Sequence, residues 1–338
     1  MTMPQIAVGV VGATGLVGEM TLQQLAERAF PVGDLRLFAS SRSRGQTLTW
    51  SGQHFTVETI REGSFSDCQL VFCCAGTDIS RQVVPQAVAE GAIVVDKSNA
   101  FRLQEGVPLV VPEVNSHHLA GHRGIIANPN CTTIQLAVAL SPLARAVGLA
   151  RVVVSTYQSV SGSGRQAVQE LVRGSQQVLA GQTADAAVYP HPIAFNLLPH
   201  IDGFDDEGFS GEERKLMTET QKILSLPALP LAATAVRVPL FYGHGISVMV
   251  ETGETVTPEK VRQLMAGQEG LQVVDQVEQL QYPMPVNAAG QDQVLVGRIR
   301  KDESFDRVLH FWVVADNLRK GAATNAVQIA EALLSTWE

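Results

Sequence analysis

The strongest chemical signal in the sequence is a cysteine, Cys131, set among polar residues at the start of a predicted helix. Asn130, Thr132 and Thr133 flank it, and an apolar run with helical spacing follows over residues 134–140. Unpaired backbone N–H groups in the first turn of a helix favour negative charge. We therefore expect the pKa of this thiol to fall and the thiolate to be accessible near neutral pH. The same N–H groups would stabilise a developing oxyanion. Cys131 is a candidate nucleophile, and the alternative is a small buried cysteine in a strand–helix turn.

Charged and titratable residues recur in the second half of the chain. Arg237 lies in a strand-like segment, where alternation places it opposite its apolar neighbours. His244 stands between two glycines, which predicts a poorly shielded loop side chain, either solvated or free to meet a ligand. Glu212 and Lys215 are three residues apart in a predicted helix over residues 211–224. By themselves they predict an ordinary surface ion pair.

These candidates need a framework, and the chain opens with one: a strand, a glycine-rich turn and a helix. Residues 6–11 form a β-branched apolar run typical of a buried parallel strand, and a helix is predicted over residues 19–28. Between them, Gly12 would allow a tight turn, Gly15 would let the backbone approach a pyrophosphate, and Gly18 would permit close helix–strand packing. The spacing is G-x-x-G-x-x-G, a variant of the dinucleotide-binding pattern.

The end of the second predicted strand, residues 34–39, indicates which dinucleotide is bound. Enzymes that use NAD usually place an acidic residue there to hold the ribose 2′-hydroxyl. This chain instead has the hydroxyls of Ser40 and Ser41 and the guanidinium groups of Arg42 and Arg44. Such a set suits a 2′-phosphate through charge-assisted hydrogen bonds, so the sequence favours NADP over NAD. The alternative is a solvated basic loop.

Three further predicted strands end in small or polar turns of the kind that border a ligand crevice in open α/β sheets. The first ends at Gly76, and the second leads to a polar loop that contains Arg102, either an anion contact or a surface arginine. The third closes on Ser161 and Gly162, a turn that a cofactor could approach closely.

Composition narrows the class of protein. The chain has 338 residues, 45% hydrophobic and 17% charged, which is enough for two domains with cores of their own. A net charge of −8 argues against a general nucleic-acid or membrane-surface role. No stretch is long and apolar enough to span a bilayer, and no basic leader precedes the first strand. We therefore expect no nucleic-acid or membrane partner.

The metal-binding residue types are scattered. The eight histidines do not fall at ligand spacing, and the four cysteines, which include the adjacent pair Cys73 and Cys74, contain no C-x-x-C. We expect no metal site, and a reducing cytoplasm rather than a disulfide framework.

Taken together, these patterns predict an α/β protein with a Rossmann-type dinucleotide-binding domain at its start. Beyond Cys131 strands recur with few crossover helices, which predicts a second, α+β domain with a mixed sheet. Residues 181–211 are rich in Pro, Gly, Asp and His and are expected to be irregular. An amphipathic helix over residues 321–337 is expected to return to the first domain.

Several blocks of the sequence, in order, resemble the bacterial aspartate-semialdehyde dehydrogenases, and the likeness runs nearly end to end. A set of consecutive blocks is far more specific than one motif. The blocks are residues 12–15, 98–102, 128–133, 156–162, 212–215, 236–239 with His244, and 316–323.

The resemblance implies a role for each residue at a matching position. Cys131 would be the nucleophile that forms a thioester, Gln158 would orient the reacting group, and His244 would be the general acid–base. The substrate contacts would be Arg237 for the carboxylate, Glu212 for the amino group, and Arg102 with Lys215 for the phosphate. The NADP contacts would be Gly12, Ala13, Thr14, Gly15, Ser40, Ser41, Gly76, Ser161, Gly162 and Asn317.

The resemblance also implies a reaction and an assembly. Members of the family reduce L-aspartyl-4-phosphate with NADPH to L-aspartate 4-semialdehyde and phosphate, in lysine, threonine and methionine biosynthesis. They are homodimeric cytoplasmic enzymes. The implied domains are residues 1–129 with 317–338 for NADP, and residues 130–316 for catalysis and dimerisation.

Three other functions remain open on the sequence. The Phe241-Tyr242 pair before His244 also resembles a paralogous branch that has lost the catalytic cysteine, a dinucleotide- or partner-binding protein. N-acetyl-γ-glutamyl-phosphate reductase shares the architecture and the thiol chemistry, but an acetylated amine needs no carboxylate such as Glu212. A generic NAD-dependent aldehyde dehydrogenase would work without phosphate.

Overall fold

A computed structural model describes residues 5–336, which divide into two compact units. The first unit contains residues 5–130 together with residues 322–336, and the second contains residues 131–321. Cys131 is therefore the first residue of the second unit, and Gly321 is its last.

The first unit holds seven strands and three helices before its C-terminal segment, among the described residues. They are β1 (Ile6–Val11), α1 (Leu16–Glu27), β2 (Val32–Phe38), β3 (Thr47–Trp50), β4 (Gln53–Glu58), β5 (Leu70–Cys73), α2 (Thr77–Ala89), β6 (Ile93–Asp96), α3 (Pro112–Asn115) and β7 (Ile125–Ala127).

The second unit follows without a linker. Its elements are α4 (Cys131–Val147), β8 (Leu149–Gln158), α5 (Arg165–Leu179), α6 (Gly211–Leu224), β9 (Leu231–Arg237), β10 (His244–Thr252), α7 (Pro258–Ala266), β11 (Leu271–Val273), α8 (Pro285–Ala288), β12 (Val294–Lys301) and β13 (Val308–Ala315). A wide helical turn (Arg319–Ala323) ends it, and α9 (Thr324–Leu334) returns the chain to the first unit.

The first unit is a Rossmann-type sheet, as the opening strand–turn–helix pattern predicts. Its strand order is β3-β4-β2-β1-β5-β6-β7, and all neighbours are parallel except β3 and β4. Continuous apolar runs form its central strands because both faces are covered. Val8, Val10 and Phe72 are fully buried in a core that also receives Ile329 and Leu333 from α9.

The second unit is built on a six-stranded mixed sheet, also as predicted, in the order β11-β12-β13-β10-β8-β9. The central pairs are antiparallel, and the edge pairs β8–β9 and β11–β12 are parallel. The alternation in β8 shows the two faces: Val152 and Val154 are buried, while Arg151 and Tyr157 are exposed. Helix α4 packs on this sheet, and its own residues 132–143 are buried.

The segment between α5 and α6 is irregular, as its composition predicts, but it is held at specific points. Leu198 forms an isolated antiparallel bridge with Arg237 at the end of β9. Glu170 on α5 accepts the backbone N–H groups of Ala187, at 2.9 Å, and Val188, at 2.5 Å. The segment is thereby fixed against the end of the sheet where β9 stops.

Element limits differ from the predictions by a few residues. Helix α1 begins at Leu16 rather than residue 19, because the extended backbone of Gly15 already ends the turn. Helix α9 begins at Thr324, after the wide turn, and the predicted end at Trp337 lies outside the described residues. No described helix has the length and apolar character needed to cross a membrane.

Candidate active site

Three predicted site residues stand side by side at one end of the mixed sheet. Gln158 ends β8, Arg237 ends β9 and His244 begins β10. The strand register pairs Gln158 with Arg237 on one side and with His244 on the other. All three are at least 95% buried, with exposures of 1%, 5% and 0%. The register therefore forms a row of amide, guanidinium and imidazole from residues distant in sequence.

Cys131 lies at the first position of α4 and is half-buried. Its Sγ is 3.8 Å from the Thr132 hydroxyl oxygen, and the next twelve residues of the helix, 132–143, are buried. The chain packs tightly against it: a Cβ at Gly321 would lie 2.9 Å from the Cys131 Cβ. The predicted position at a helix N-terminus is thus the observed one, and a developing oxyanion there would meet the first-turn N–H groups.

His244 corrects the sequence interpretation. The two flanking glycines predicted a poorly shielded loop side chain, either solvated or free to meet a ligand. In the structure His244 is instead the first residue of a strand, and it is fully buried. Its strand lies between β8 and β13, with His244 in register with Gln158 and Ala315. Burial, with the charge of Arg237 second, lowers the pKa of His244 from 6.5 to about 3, so the ring is neutral at physiological pH.

The turn after β8 brings the predicted residues Ser161 and Gly162 to this row. The Val160 and Ser161 N–H groups donate to the carbonyl oxygens of Leu240 and Phe241, at 2.8 and 3.2 Å, which fixes the turn. A Cβ on Gly162 would lie 3.1 Å from Arg237 Nη1 and 3.5 Å from His244 Nε2. The exposed Gly162 therefore marks an approach to both functional groups.

Arg237 is anchored on one side and available on another. Its Nη1 donates to the Ser159 carbonyl at 2.7 Å, while Nε is buried and has no hydrogen-bond partner among the described residues. A buried N–H without a hydrogen-bond partner costs free energy. An unpaired donor of this kind is typical of a group that binds a ligand. Its guanidinium carbon lies 6.0 Å from the centre of the Tyr189 ring, and Tyr189 is a site residue that the sequence did not reveal.

Glu212 and Lys215 form the predicted i,i+3 pair, at 3.3 Å, but they are not a surface pair. Their side chains are 5% and 19% exposed. Glu212 also accepts a 3.1 Å hydrogen bond from Gln158 Nε2, which ties it to the row. Lys215 binds a second carboxylate, Asp202, which no sequence pattern had indicated. The ammonium of Lys215 is therefore already shared between two acids.

Glu213, the next residue, fixes the helix that carries Glu212. Its carboxylate accepts the Ser210 N–H at 2.7 Å in a capping box, and Ser210 Oγ accepts the Glu213 N–H in return. The other carboxylate oxygen accepts the Ala235 N–H of β9 at 2.9 Å. Glu213 thus joins the start of α6 to the strand that ends in Arg237.

Arg102 lies in the first unit and is buried, which contradicts one of the two alternatives that its surroundings left open. It is 7% exposed, so it is not a surface arginine. Its Nε donates to the Asn128 carbonyl at 3.0 Å and its Nη2 to the Lys97 carbonyl at 2.8 Å. These bonds hold the guanidinium next to the segment that leads to Cys131. A phosphate contact by Arg102 and Lys215 stays a prediction, since the two residues belong to different units.

The glycine turn of the first unit has the form that a dinucleotide pyrophosphate requires. Gly12 has a φ of +77°, and a Cβ there would lie 2.9 Å from the Cys74 carbonyl oxygen. At Gly15 an added Cβ would make only an ordinary 3.4 Å contact, so nothing within the turn demands glycine there. The space is available to a ligand above the N-terminus of α1, where N–H groups face outward.

The loop after β2 is held to the glycine turn. Thr14 Oγ1 lies 3.3 Å from Ser43 Oγ, and Ser40 precedes a short 3₁₀ turn over Ser41–Ser43. Arg42 is exposed and takes part in no ion pair among the described residues. The hydroxyls and the guanidinium therefore fit a 2′-phosphate beside the turn. Gly76 lies at the start of α2, and the predicted contacts Gly76 and Ala13 also belong to this unit.

The part of the chain that the structure describes contains no cluster of side chains that could bind a metal ion. Residues 5–336 contain no group of three or more His, Cys, Asp or Glu side chains placed to hold a metal ion. None of the four cysteines forms a disulfide within these residues.

Comparisons with known proteins agree with this geometry. Residues 7–122 match the model "Semialdehyde dehydrogenase, NAD binding domain", and residues 140–320 match "Semialdehyde dehydrogenase, dimerisation domain". The chain is 47% identical over 331 residues to the aspartate-semialdehyde dehydrogenase of Aquifex aeolicus, which spans 97% of each chain.

Solved structures of aspartate semialdehyde dehydrogenases are also similar to this chain. Aspartate semialdehyde dehydrogenase II from Vibrio cholerae, complexed with ASA, superposes with a TM-score of 0.96 at 43% identity, over 99% of this chain and 100% of that one. The aspartate semialdehyde dehydrogenase of Candida albicans with NADP gives a TM-score of 0.76 at 26% identity, over 98% of both chains.

Proposed function

Because this chain belongs to the aspartate-semialdehyde dehydrogenase family, we propose that it reduces L-aspartyl-4-phosphate to L-aspartate 4-semialdehyde and phosphate with NADPH. The observation that carries the proposal is the row Arg237–Gln158–His244. Among residues 5–336, neither Arg237 Nε nor His244 Nε2 has a hydrogen-bond partner, and the two residues lie on either side of Gln158. The relatives favour neither a non-catalytic paralogue nor N-acetyl-γ-glutamyl-phosphate reductase.

Cys131 supplies the nucleophile. Its thiolate attacks the carbonyl carbon of the acyl phosphate, the C–O bond to phosphate breaks, and a thioester forms on Sγ. First-turn N–H groups of α4 stabilise the oxyanion of this step. A thioester carbonyl accepts hydride far more readily than a carboxylate. After hydride addition, the C–S bond breaks, the aldehyde leaves and the thiolate returns.

Charge complementarity holds the substrate on both sides of the reacting carbon. The Nε–H of Arg237, which no described residue accepts, is available to a carboxylate, and the planar guanidinium matches carboxylate geometry. Glu212, which is buried and bonded to Gln158, offers its carboxylate to the substrate ammonium. His244 acts on the carbonyl oxygen through Nε2, and Arg102 with Lys215 receives the phosphate.

NADPH, when bound, supplies the hydride. The glycine turn from Gly12 to Gly15, with Ala13 and Thr14 between, would hold its pyrophosphate, and Ser40 and Ser41 its 2′-phosphate. Gly76, Ser161, Gly162 and Asn317 complete the proposed contact set. Two observations support these cofactor contacts. Gly12 has a positive φ, and Thr14 Oγ1 lies 3.3 Å from Ser43 Oγ in the basic loop.

The enzyme acts as a homodimer. The second unit matches a dimerisation-domain model, and aromatic and aliphatic side chains lie half-exposed around the uncovered face of its sheet. The rings of Tyr157 and Trp312 lie there with their centres 5.5 Å apart at a tilted angle, and Phe241 and Met284 are also exposed. A charge introduced on this surface by Tyr157→Glu should convert the dimer to a monomer, which light scattering would detect as a halved molecular mass. Four free thiols fit a reducing compartment, the cytoplasm.

The deciding experiment is the reverse reaction followed by absorbance. L-aspartate semialdehyde and NADP should yield NADPH only when phosphate or arsenate is present, because the thioester needs an oxyanion acceptor. Cys131→Ser should abolish turnover and leave NADP binding intact. NADP reduction without phosphate, or a fully active Cys131→Ser variant, would disprove the proposal. Turnover of N-acetylglutamate semialdehyde in preference would assign the other reductase.

A further inference from the structure

Lys215, the proposed phosphate contact, is held between two carboxylates. Glu212 lies one turn before it on α6, with Oε2 at 3.3 Å from Lys215 Nζ. Asp202, in the irregular segment between α5 and α6, accepts a hydrogen bond from the same nitrogen. The cluster combines one positive and two negative charges, so it is anionic overall. Its net charge opposes the binding of an oxyanion to Lys215.

Backbone hydrogen bonds place Asp202 beside the first turn of α6. The carbonyl oxygens of its two neighbours, Ile201 and Gly203, accept the N–H groups of Glu212, at 3.3 Å, and Gly211, at 2.8 Å. The approach is close, because a Cβ at Gly211 would lie 3.0 Å from the Asp202 Cβ. Asp202 has a φ of +66°, a left-handed conformation that Asp and Asn adopt more readily than other side chains. The backbone thus fixes this carboxylate at the start of the helix.

The two carboxylates differ in how readily they can release the ammonium. The Glu212 side chain is 5% exposed, and it also accepts the 3.1 Å hydrogen bond from Gln158 Nε2. The Asp202 side chain is 50% exposed, so water can solvate its carboxylate when it turns away. An ion pair with an exposed partner contributes little free energy and is easily exchanged. Asp202 is therefore the partner that an incoming anion would displace.

A carboxylate that binds a lysine ammonium resembles a phosphate oxygen in the same place. Both present an anionic oxygen that accepts a charge-assisted hydrogen bond from an N–H donor. When Glu212 binds the substrate ammonium, as proposed above, Asp202 still competes with phosphate for Lys215. Repulsion between the Asp202 carboxylate and the phosphate acts in the same direction, because both are negatively charged.

We propose that Asp202 is a positioning residue that holds the Lys215 ammonium while phosphate is absent and releases it to the incoming oxyanion, so that Asp202 weakens phosphate binding. This inference rests on the proposed function and gives a role to an acid that no sequence pattern indicated. Phosphate is a product when aspartyl phosphate is reduced. Recapture of Lys215 by Asp202 then favours the departure of phosphate and limits product inhibition.

The test is the KM for phosphate in the reverse reaction of full-length Asp202→Asn. Asparagine also tolerates a left-handed backbone, so this change removes the charge and keeps the conformation. The KM for phosphate should fall about two- to tenfold. The KM for aspartate semialdehyde should not change, because Glu212 keeps its bond to Gln158. The gain should shrink at high ionic strength, since it is electrostatic. Asp206→Asn, at an exposed acid of the same segment, is the control with the same change in net charge.

Three results would overturn the inference: an unchanged or raised KM for phosphate in Asp202→Asn, an equal fall in Asp206→Asn, or a fall that persists at high ionic strength. A raised KM would mean that Asp202 aims Lys215 at phosphate instead of competing for it. If Asp202→Asn folds poorly, Asp202→Gly provides the same test, since glycine adopts the left-handed backbone without strain and has no carboxylate. A wild type without phosphate-dependent NADP reduction would refute the proposed function, whereas an active wild type with any of the three results refutes this inference alone.

Discussion

Replacing Gly162 with alanine tests whether the space beside Arg237 and His244 belongs to the substrate. The new Cβ would lie 3.1 Å from Arg237 Nη1 and 3.5 Å from His244 Nε2. Arg237 has little freedom to withdraw, because the same Nη1 is bonded to the Ser159 carbonyl at 2.7 Å. We expect the guanidinium to shift by a few tenths of an ångström, away from the position that a substrate carboxylate requires.

The magnitude follows from the bond that is disturbed. A hydrogen bond to a charged group contributes about 1.5–3 kcal/mol, which corresponds to roughly 10- to 100-fold in kcat/KM. The backbone at Gly162 is not left-handed, so alanine introduces no strain there. Stability should change by less than about 1 kcal/mol. The variant should thus fold normally, while its kcat/KM falls by the amount given above.

The assay is steady-state kinetics with aspartate semialdehyde, together with calorimetric titration of NADP. Gly203→Ala is the matched control, since a Cβ there meets no atom within 4 Å and should change nothing. An unchanged kcat/KM would refute the reasoning. A loss confined to NADP affinity would refute it as well, because it would make Gly162 a cofactor contact alone.

Two further outcomes are expected. The pKa of His244, lowered from 6.5 to about 3 by burial and by Arg237, lies below its unfolded value, so stability falls as pH drops through 6.5. From pH 7 to 5 this residue should cost wild type ~2 kcal/mol, and His244→Gln should escape that loss in urea titrations. Equal losses in both proteins would contradict the burial argument. Gly12→Ala should weaken NADP binding about tenfold or more, because its Cβ would lie 2.9 Å from the Cys74 carbonyl oxygen. Gly106→Ala, at a φ of +75° with nothing within 4 Å, should bind normally.

The features that the sequence predicted well are those set by local pattern. Helix α6 over Gly211–Leu224 begins and ends at the residues that the sequence predicted. The glycine turn is another such case, because φ at Gly12 is a property of a few neighbouring residues. The mixed sheet followed from strands that recur without crossover helices.

His244 shows where local pattern fails. Its two flanking glycines suggest exposure, yet it is fully buried in a strand that pairs with β8 and β13, elements about 70 to 90 positions away in the chain. Tyr189 and Asp202 were missed for a related reason. They lie in the irregular segment between α5 and α6, where no period exists and only tertiary contacts place a side chain.

The sequence singled out Asn317 by family resemblance, whereas tertiary hydrogen bonds hold its side chain in the structure. The sequence block around it predicted a cofactor contact through resemblance, which stays a prediction. Its bonds to Ser159, Ser161 and Gly243 depend on three segments that converge only in the folded chain. A single sequence carries no signal for such convergence.

The neighbouring acids Glu212 and Glu213 have a consequence for attempts to retarget the enzyme by laboratory evolution. The pair looks redundant in sequence, but the Glu213 carboxylate is committed to two backbone N–H groups, of Ser210 and Ala235. A library that randomises both positions would mostly sample proteins with a displaced helix start. Diversity introduced at Glu212 alone, with Glu213 held constant, should yield altered amine preference from variants that still assemble the pocket.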